Sequence, residues 1–263
     1  MDMRLDAAGL RPYREGTHRN DKDFTMTTQD EFSFHGLRVA VTGGTSGLGL
    51  ALVERLHREG AHVAFIARGE KRVHELAARL PGTHGIAGDV ADKAGVHALA
   101  LQVTALLGGL DLLVNNASTL GPQLLVPLAD TDCEDFESAL ATNVLGPFRL
   151  TKAMLGALAA SARQGRPAIV LNISSDAAVN AYSSWGAYGA SKAALAHMTR
   201  IWDEELRDLG VRLLAIDPGD MDTPMHAQAL PDADRAGLKP PATAAGELLA
   251  RVARMAMEQA VPA

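Results

Sequence analysis

From Gly36 onward, short apolar runs alternate with longer helical stretches, and no other feature of this chain narrows its fold as far. The runs are LRVAVT (37–42), HVAFIA (62–67), THGIAG (83–88), LDLLVNN (110–116), AIVLNIS (168–174) and VRLLAID (211–217). They are apolar nearly throughout, as strands covered by helices on both faces must be. Helical segments fall between them, near 48–59, 70–80, 92–107, 132–163 and 186–209. Each strand–helix–strand crossover is right-handed, so the helices come to lie on both faces of a parallel sheet. The pattern predicts an α/β fold, a Rossmann-type doubly wound parallel sheet in a single domain. Residues 227–241, with three prolines, read as part of a substrate loop near 219–241, and residues 245–258 as a last helix.

A chain of 263 residues folded as one unit buries roughly three quarters of its unfolded surface, so neither disulfides nor a structural metal are needed. Cys133 is the single cysteine and has no partner for an internal disulfide, which fits a reducing, cytoplasmic setting. A net charge of −6 favours solubility and gives no footing for nucleic acid or an anionic membrane. No apolar run approaches the ~18 residues of a membrane helix. The N-terminal stretch lacks the apolar core of a secretion signal, and its acids Asp2, Asp6, Glu15, Asp21 and Asp23 argue against a transit peptide. Residues 1–33 carry no strand or helix period and are expected to form a disordered arm, with the domain over 34–263. The nine histidines are scattered without metal-ligand spacing, so no catalytic metal is expected.

The first run ends in Thr42-Gly43-Gly44-Thr45-Ser46-Gly47-Leu48-Gly49 and opens directly into a helix. Glycines there let backbone N–H groups and the helix N-terminus approach a pyrophosphate. The second run closes on Ala67-Arg68. An acid near this point would bind the 2′-hydroxyl of NAD, whereas an arginine meets the 2′-phosphate of NADP. With no acid at Ala67 and Arg68 directly after it, NADP(H) is favoured over NAD(H); the alternative leaves Arg68 at a strand end in solvent. Asp89-Val90 follows the third run, where Asp89 either accepts from an adenine amino group or caps the next helix. Asn115-Asn116-Ala117 ends the fourth run. Ala117 leaves room for a flat ring or a ribose, and Asn116 is expected to serve mainly the neighbouring backbone.

Tyr188 and Lys192 are four residues apart at the start of a helical stretch, on one helix face. An ammonium beside a phenol favours the phenolate and suits the tyrosine to acid–base work. Ser174-Ser175 ends the fifth run at the carboxyl edge of the sheet, where ligands bind in this architecture. Asn143 sits inside the long helix after the fourth strand, a mildly unfavourable place for asparagine.

Taken together, the TGGTSGLG loop, Asp89-Val90, Asn115-Asn116-Ala117, Asn143, the Ser–Tyr–Lys set and Asp217-Pro218-Gly219 followed by Thr223 resemble the classical short-chain dehydrogenase/reductase (SDR) family over roughly residues 36–225. The resemblance implies an oxidoreductase moving hydride between a nicotinamide and a carbonyl or secondary alcohol. It implies Tyr188 as acid/base, Ser175 as hydrogen-bond partner of the substrate oxygen, and Lys192 on the nicotinamide ribose, lowering the tyrosine pKa. Asn143 is implied to hold a water that relays protons from Lys192. Pro218 and Gly219 are implied to shape the loop over the nicotinamide, with Thr223 near its carboxamide.

The sequence also departs from the family pattern. Ser118 stands where the family usually has glycine, and Ala178 replaces another common glycine. The chain stops without the family's Gly-rich last strand, so the seventh strand is expected to be missing or vestigial, with the sheet edge exposed or covered by a partner. That turns the expected oligomer from the family's tetramer to a homodimer through the helices near 132–163 and 186–209. Asp176, Trp185 and Met221 are the leading candidates for the substrate pocket, with Asn180, Tyr182 and Met225 beside them. Asp220 and Asp222 flank Met221, either as solvated loop acids or as a field that attracts basic substrates. The competing readings are an NAD-dependent alcohol dehydrogenase and a non-catalytic cofactor-binding sensor or scaffold.

Overall fold

Six strands form at the six runs: β1 (Arg38–Thr42), β2 (His62–Ala67), β3 (His84–Ala87), β4 (Leu112–Asn115), β5 (Ile169–Ile173) and β6 (Arg212–Ile216). They pair in parallel in the order β3-β2-β1-β4-β5-β6. Among the described residues, eight α-helices connect and cover them: α1 (Gly47–Arg58), α2 (Glu70–Arg79), α3 (Val96–Leu107), α4 (Cys133–Leu140), α5 (Gly146–Arg163), α6 (Gly186–Glu205), α7 (Pro224–Ala229) and α8 (Pro241–Ala260). These descriptions come from a computed structural model, which describes residues 32–260. Apart from Phe32 and Ser33, the arm expected over 1–33 lies outside the described residues. Phe32 packs edge-on against buried Phe34 at 5.1 Å, so the ordered core starts before the expected boundary at 34.

Alternate strand residues point to opposite faces, and this splits the apolar core in two. Val39, Val41, Val63 and Phe65 pack with α1, α2 and α8 on one face. Ala40, Ala64 and Ile66 pack with α3 and α5 on the other. Among the described residues the sheet ends at β6, and α8 lies beside α1.

Three boundaries differ from expectation. The helix expected from 92 begins at Val96, because Asp89 and Asp92 each accept from the N–H two residues on and hold the chain in turns. The segment expected as one helix over 132–163 is two, joined by a π-helical turn at Ala141–Leu145. Pro147 has no N–H for the carbonyl of Asn143, so the α-helical register cannot run through this point. The loop expected over 227–241 is helical at both ends, in α7 and from Pro241; Thr223 accepts from the His226 N–H at the start of α7.

At the amino edge of the sheet, Asp111 is 0% exposed and takes two arginines. Arg38 at the start of β1 reaches Oδ1 at 2.6 Å and also gives its backbone N–H to Oδ2 at 2.8 Å. Arg166, ahead of β5, reaches Oδ2 at 2.6 Å and donates to the Gly36 carbonyl at 2.9 Å. Burial alone would raise the Asp111 pKa, but the two guanidinium groups outweigh it and hold the carboxyl far below the usual range. Asp111→Ala leaves both arginines facing an empty partner position and is expected to cost about 3–5 kcal/mol in urea denaturation. Because the folded pKa is depressed, the stabilisation is complete above the ordinary carboxylate value of about 3.9 and is lost as pH falls below it. The wild type is therefore expected to lose its advantage over the variant in that acid range.

Candidate active site at the carboxyl edge

The site forms where the chain reverses its strand order, between β1 and β4. Thr42 Oγ1, at the end of β1, accepts from the N–H groups of Asn116 and Ala117, both at 2.9 Å. Asn116 Nδ2 returns a bond to the Thr42 carbonyl at 2.8 Å, so Asn116 serves the backbone as expected. The loop beyond Thr42 turns on Gly43 (φ 69°) and Gly47 (φ 51°), a region that side chains disfavour. A Cβ at Gly49 would overlap the Gly43 carbonyl and the Asn116 amide. Ser46 begins α1 without a side-chain cap, which leaves the first N–H groups of the helix for an anion.

Except for Thr42 and Gly44, the residues of the glycine loop line one cavity of about 320 Å³, with Arg68, Asp89, Val90, Asn116, Ala117, Tyr188, Lys192, Pro218, Gly219 and Thr223, and with Ser175, Asp176, Trp185, Met221 and Met225. Asn143, Asn180 and Tyr182 are not in that lining. Asp89 is held by a bond from the Ala91 N–H and does not cap α3, whose N-cap is Gly95. The cradle of glycines, the uncapped helix and the arginine directly after β2 together fit a nicotinamide dinucleotide. The sequence reading missed Arg72, which lines the cavity beside Arg68 and Gly69. Its position four residues after Arg68, in the first turn of α2, was the available signal.

At the other end, Lys192 is 2% exposed, and its Nζ donates to the Ile173 carbonyl at 2.7 Å. Burial lowers its pKa to about 8, against the opposing charge of Asp217. Tyr188 is pushed up to about 12, first by burial, with a contact from the Ser175 hydroxyl pulling the other way. This corrects the expectation that Lys192 depresses the phenol. The ammonium is drawn to a carbonyl and lies 5.4 Å from the centre of the ring, so loss of solvation dominates. At neutral pH Tyr188 carries its proton.

Asn143 is 1% exposed, in the π-helical turn. Its Oδ1 accepts from Ser118 Oγ at 3.1 Å and the Thr119 N–H at 2.9 Å. Its Nδ2 donates to the Thr119 carbonyl at 2.8 Å and to Ser191 Oγ at 2.9 Å. With four bonds the side chain itself has no capacity left for a water. It acts as a brace between the loop after β4 and α6. Ser118, the departure from glycine, supplies one of those bonds.

The loop acids also separate. Asp222 forms an ion pair with Arg235, whereas Asp220 lines the cavity. His226 lines it too, with a buried Nδ1 that has no partner among the described residues. Among the described residues, no three His, Cys, Asp or Glu side chains are grouped to hold a metal, and no helix is long and apolar enough to cross a membrane.

A family model described as short chain dehydrogenase matches residues 37–234. The 2,5-dichloro-2,5-cyclohexadiene-1,4-diol dehydrogenase of Sphingobium indicum is 34% identical over 206 residues, 78% of this chain and 80% of that protein. The L-xylulose reductase of Bos taurus is 28% identical over 201 residues, 76% of this chain and 78% of the relative. Among solved structures, an NADPH-bound carbonyl reductase from chicken fatty liver superimposes with a TM-score of 0.74 at 27% identity, covering 83% of this chain and 92% of that one.

Gly49→Ala is expected to destabilise the protein by about 1–3 kcal/mol through overpacking and to remove dinucleotide binding. Thermal denaturation and nicotinamide fluorescence read the two effects.

Proposed function

This chain belongs to the short-chain dehydrogenase/reductase family and is an NAD(P)-dependent oxidoreductase acting on CH–OH groups; on that premise we propose that it uses NADP(H), with Tyr188 as the acid/base for a carbonyl or secondary alcohol. The observation that carries this reading is one continuous cavity holding the glycine cradle, two arginines beside β2, and Ser175, Tyr188 and Lys192 at its far end. The dinucleotide, when bound, supplies or takes the hydride.

The chain's own groups do the rest. Backbone N–H groups of the loop after β1 and of the start of α1 hold the pyrophosphate. Arg68 and Arg72 offer two guanidinium groups to a 2′-phosphate. In the reductive direction Tyr188, protonated at neutral pH, gives its proton to the substrate oxygen, while the Ser175 hydroxyl hydrogen-bonds that oxygen. Lys192, charged below its pKa of about 8, binds the nicotinamide ribose and offsets the charge left on the phenol. Asn143 positions these groups through Ser191, whose Oγ donates to the Tyr188 carbonyl at 2.6 Å. Exposed Leu145 and Ile201, in the π-helical turn and on α6, support a homodimer through these helices. The reducing setting suggested by the lone cysteine supports a cytoplasmic location.

Tyr188→Phe is expected to lower turnover by about 10²- to 10⁴-fold while nicotinamide fluorescence still reports cofactor binding; retained turnover would remove the acid/base assignment. In the same titration NADPH is expected to bind at least about tenfold tighter than NADH, about 1.4 kcal/mol. Arg68→Ala is expected to lose most of that margin, and equal binding of the two cofactors by the wild type would point to NAD.

A further inference from the structure

The charged lining of the cavity is divided. Its arginines, Arg68 and Arg72, lie beside β2 with the single acid Asp89 after β3, whereas three acids, Asp176, Asp217 and Asp220, follow β5 and β6 at the end of the cavity that Ser175 and Tyr188 line. No lysine or arginine among the described residues forms an ion pair with these three acids. Lys192 is buried and donates to the Ile173 carbonyl. Lys239, near Gly219, is engaged by Glu247 at 2.5 Å and the Pro218 carbonyl at 3.2 Å.

Asp176 is fixed in place. Its Oδ2 accepts from Tyr182 Oη at 2.5 Å, and without substrate its Oδ1 accepts from Ser175 Oγ at 3.2 Å, a single proton that turns to the substrate oxygen when substrate binds. The bond from Tyr182 leads the effects that keep its carboxyl below the usual range, so it is an anion at neutral pH. The Tyr182 phenol is pushed up, first by its bond to Asp176, and Asp220 lines the same cavity as Asp176. Asp217 acts on Tyr188 and Lys192 together. Trp185 stands in the same corner, edge-on to Tyr182 at 6.4 Å and to Tyr188 at 5.8 Å, and lines the cavity. An anchored carboxylate, a second acid and an indole around one space make a setting that attracts a cation and repels an anion.

Resting on the oxidoreductase reading above, we propose that the substrate is a carbonyl or alcohol carrying an ammonium group, with its cation seated among Asp176, Asp220 and Trp185. The acids are exposed, so the attraction is partly screened and weakens with salt.

Three matched methyl ketones test this. One carries a trimethylammonium group three methylenes from the carbonyl, one a tert-butyl group in its place, and one a carboxylate. Calorimetric titration of the protein saturated with NADP⁺, which cannot reduce a ketone, is expected to show the ammonium ketone binding about tenfold tighter than its tert-butyl isostere. The carboxylate is expected to be the weakest of the three, and the margins to shrink as salt rises. In Asp176→Asn/Asp220→Asn, checked for retained NADPH binding, the ratio of ammonium to tert-butyl affinity is expected to fall towards one. The inference is overturned if the isostere, the carboxylate or an uncharged polyol of similar size binds as tightly as the ammonium ketone. It is equally overturned if the double variant keeps the ratio, or if none of these compounds binds. Turnover with NADPH is read separately: an ammonium ketone that binds with the expected preference and is never reduced removes the oxidoreductase assignment and leaves the charge preference standing.

Discussion

Between Thr42 and the start of the loop after β4, a single hydroxyl accepts two backbone N–H groups, from Asn116 and Ala117. These N–H groups lie beyond the end of the ladder, at the crevice between two strands whose connections leave in opposite directions. Without this acceptor they would face the crevice unpaired, at a cost comparable to a lost hydrogen bond each. The tie fixes where β4 stops and where residues 117–119 run. From there Thr119 and Ser118 bond to Asn143, Asn143 to Ser191, and Ser191 to the Tyr188 carbonyl. A continuous hydrogen-bonded path thus joins the glycine cradle to the first turns of α6, so the two halves of the cavity are positioned by one set of contacts.

Burial sets the chemistry at the end of that path more than pairwise attraction does. Tyr188 and Lys192 share a helix face, yet the ammonium is committed to a carbonyl at the end of β5, and each group is shifted towards its neutral form. A phenol held protonated is ready to donate, which suits reduction of a carbonyl. Drawing a proton from an alcohol asks for the phenolate, a form that gains from any positive charge brought near it. The protein alone therefore favours one protonation state of the site, and how readily the other forms depends on the charges of the ligands that fill it.

The order of strands and helices was legible because buried parallel strands leave a mark no surface segment leaves. β4 and β5 are buried along their whole length, and their runs in the sequence have no polar alternation to confuse with a half-exposed strand. The cradle and the Ser–Tyr–Lys set were legible because local spacing defines them. What escaped depends on contacts between distant segments. The break at Ala141–Leu145 follows from Pro147 acting on a carbonyl four residues earlier and from an asparagine whose four bonds go to Ser118, Thr119 and Ser191, outside its own helix. Arg72 reads in sequence as one more charge on an amphipathic helix, and only the curl of the chain at Gly69 brings it to the cavity. Asp220 and Asp222 are two residues apart with equivalent composition around them, and the presence of Arg235 beside one alone separates their roles.

The two edges of the sheet divide the work. At the amino edge a buried carboxylate is saturated by two guanidinium groups and by the Arg38 backbone, and it closes the starts of β1, β4 and β5 into one unit. At the carboxyl edge the polar groups are left with capacity to spare: an uncapped helix, arginines beside β2, and cavity acids that pair with no lysine or arginine among the described residues. Groups that remain uncompensated at a ligand edge lower the stability of the free protein and raise it when a complementary ligand binds. A parallel sheet can carry that cost because its strands are tied at the opposite end, where no ligand has to enter. The distance between the clamp and the cavity is therefore a requirement of the design: satisfied charge holds the strands together at one end so that unsatisfied charge can be kept at the other.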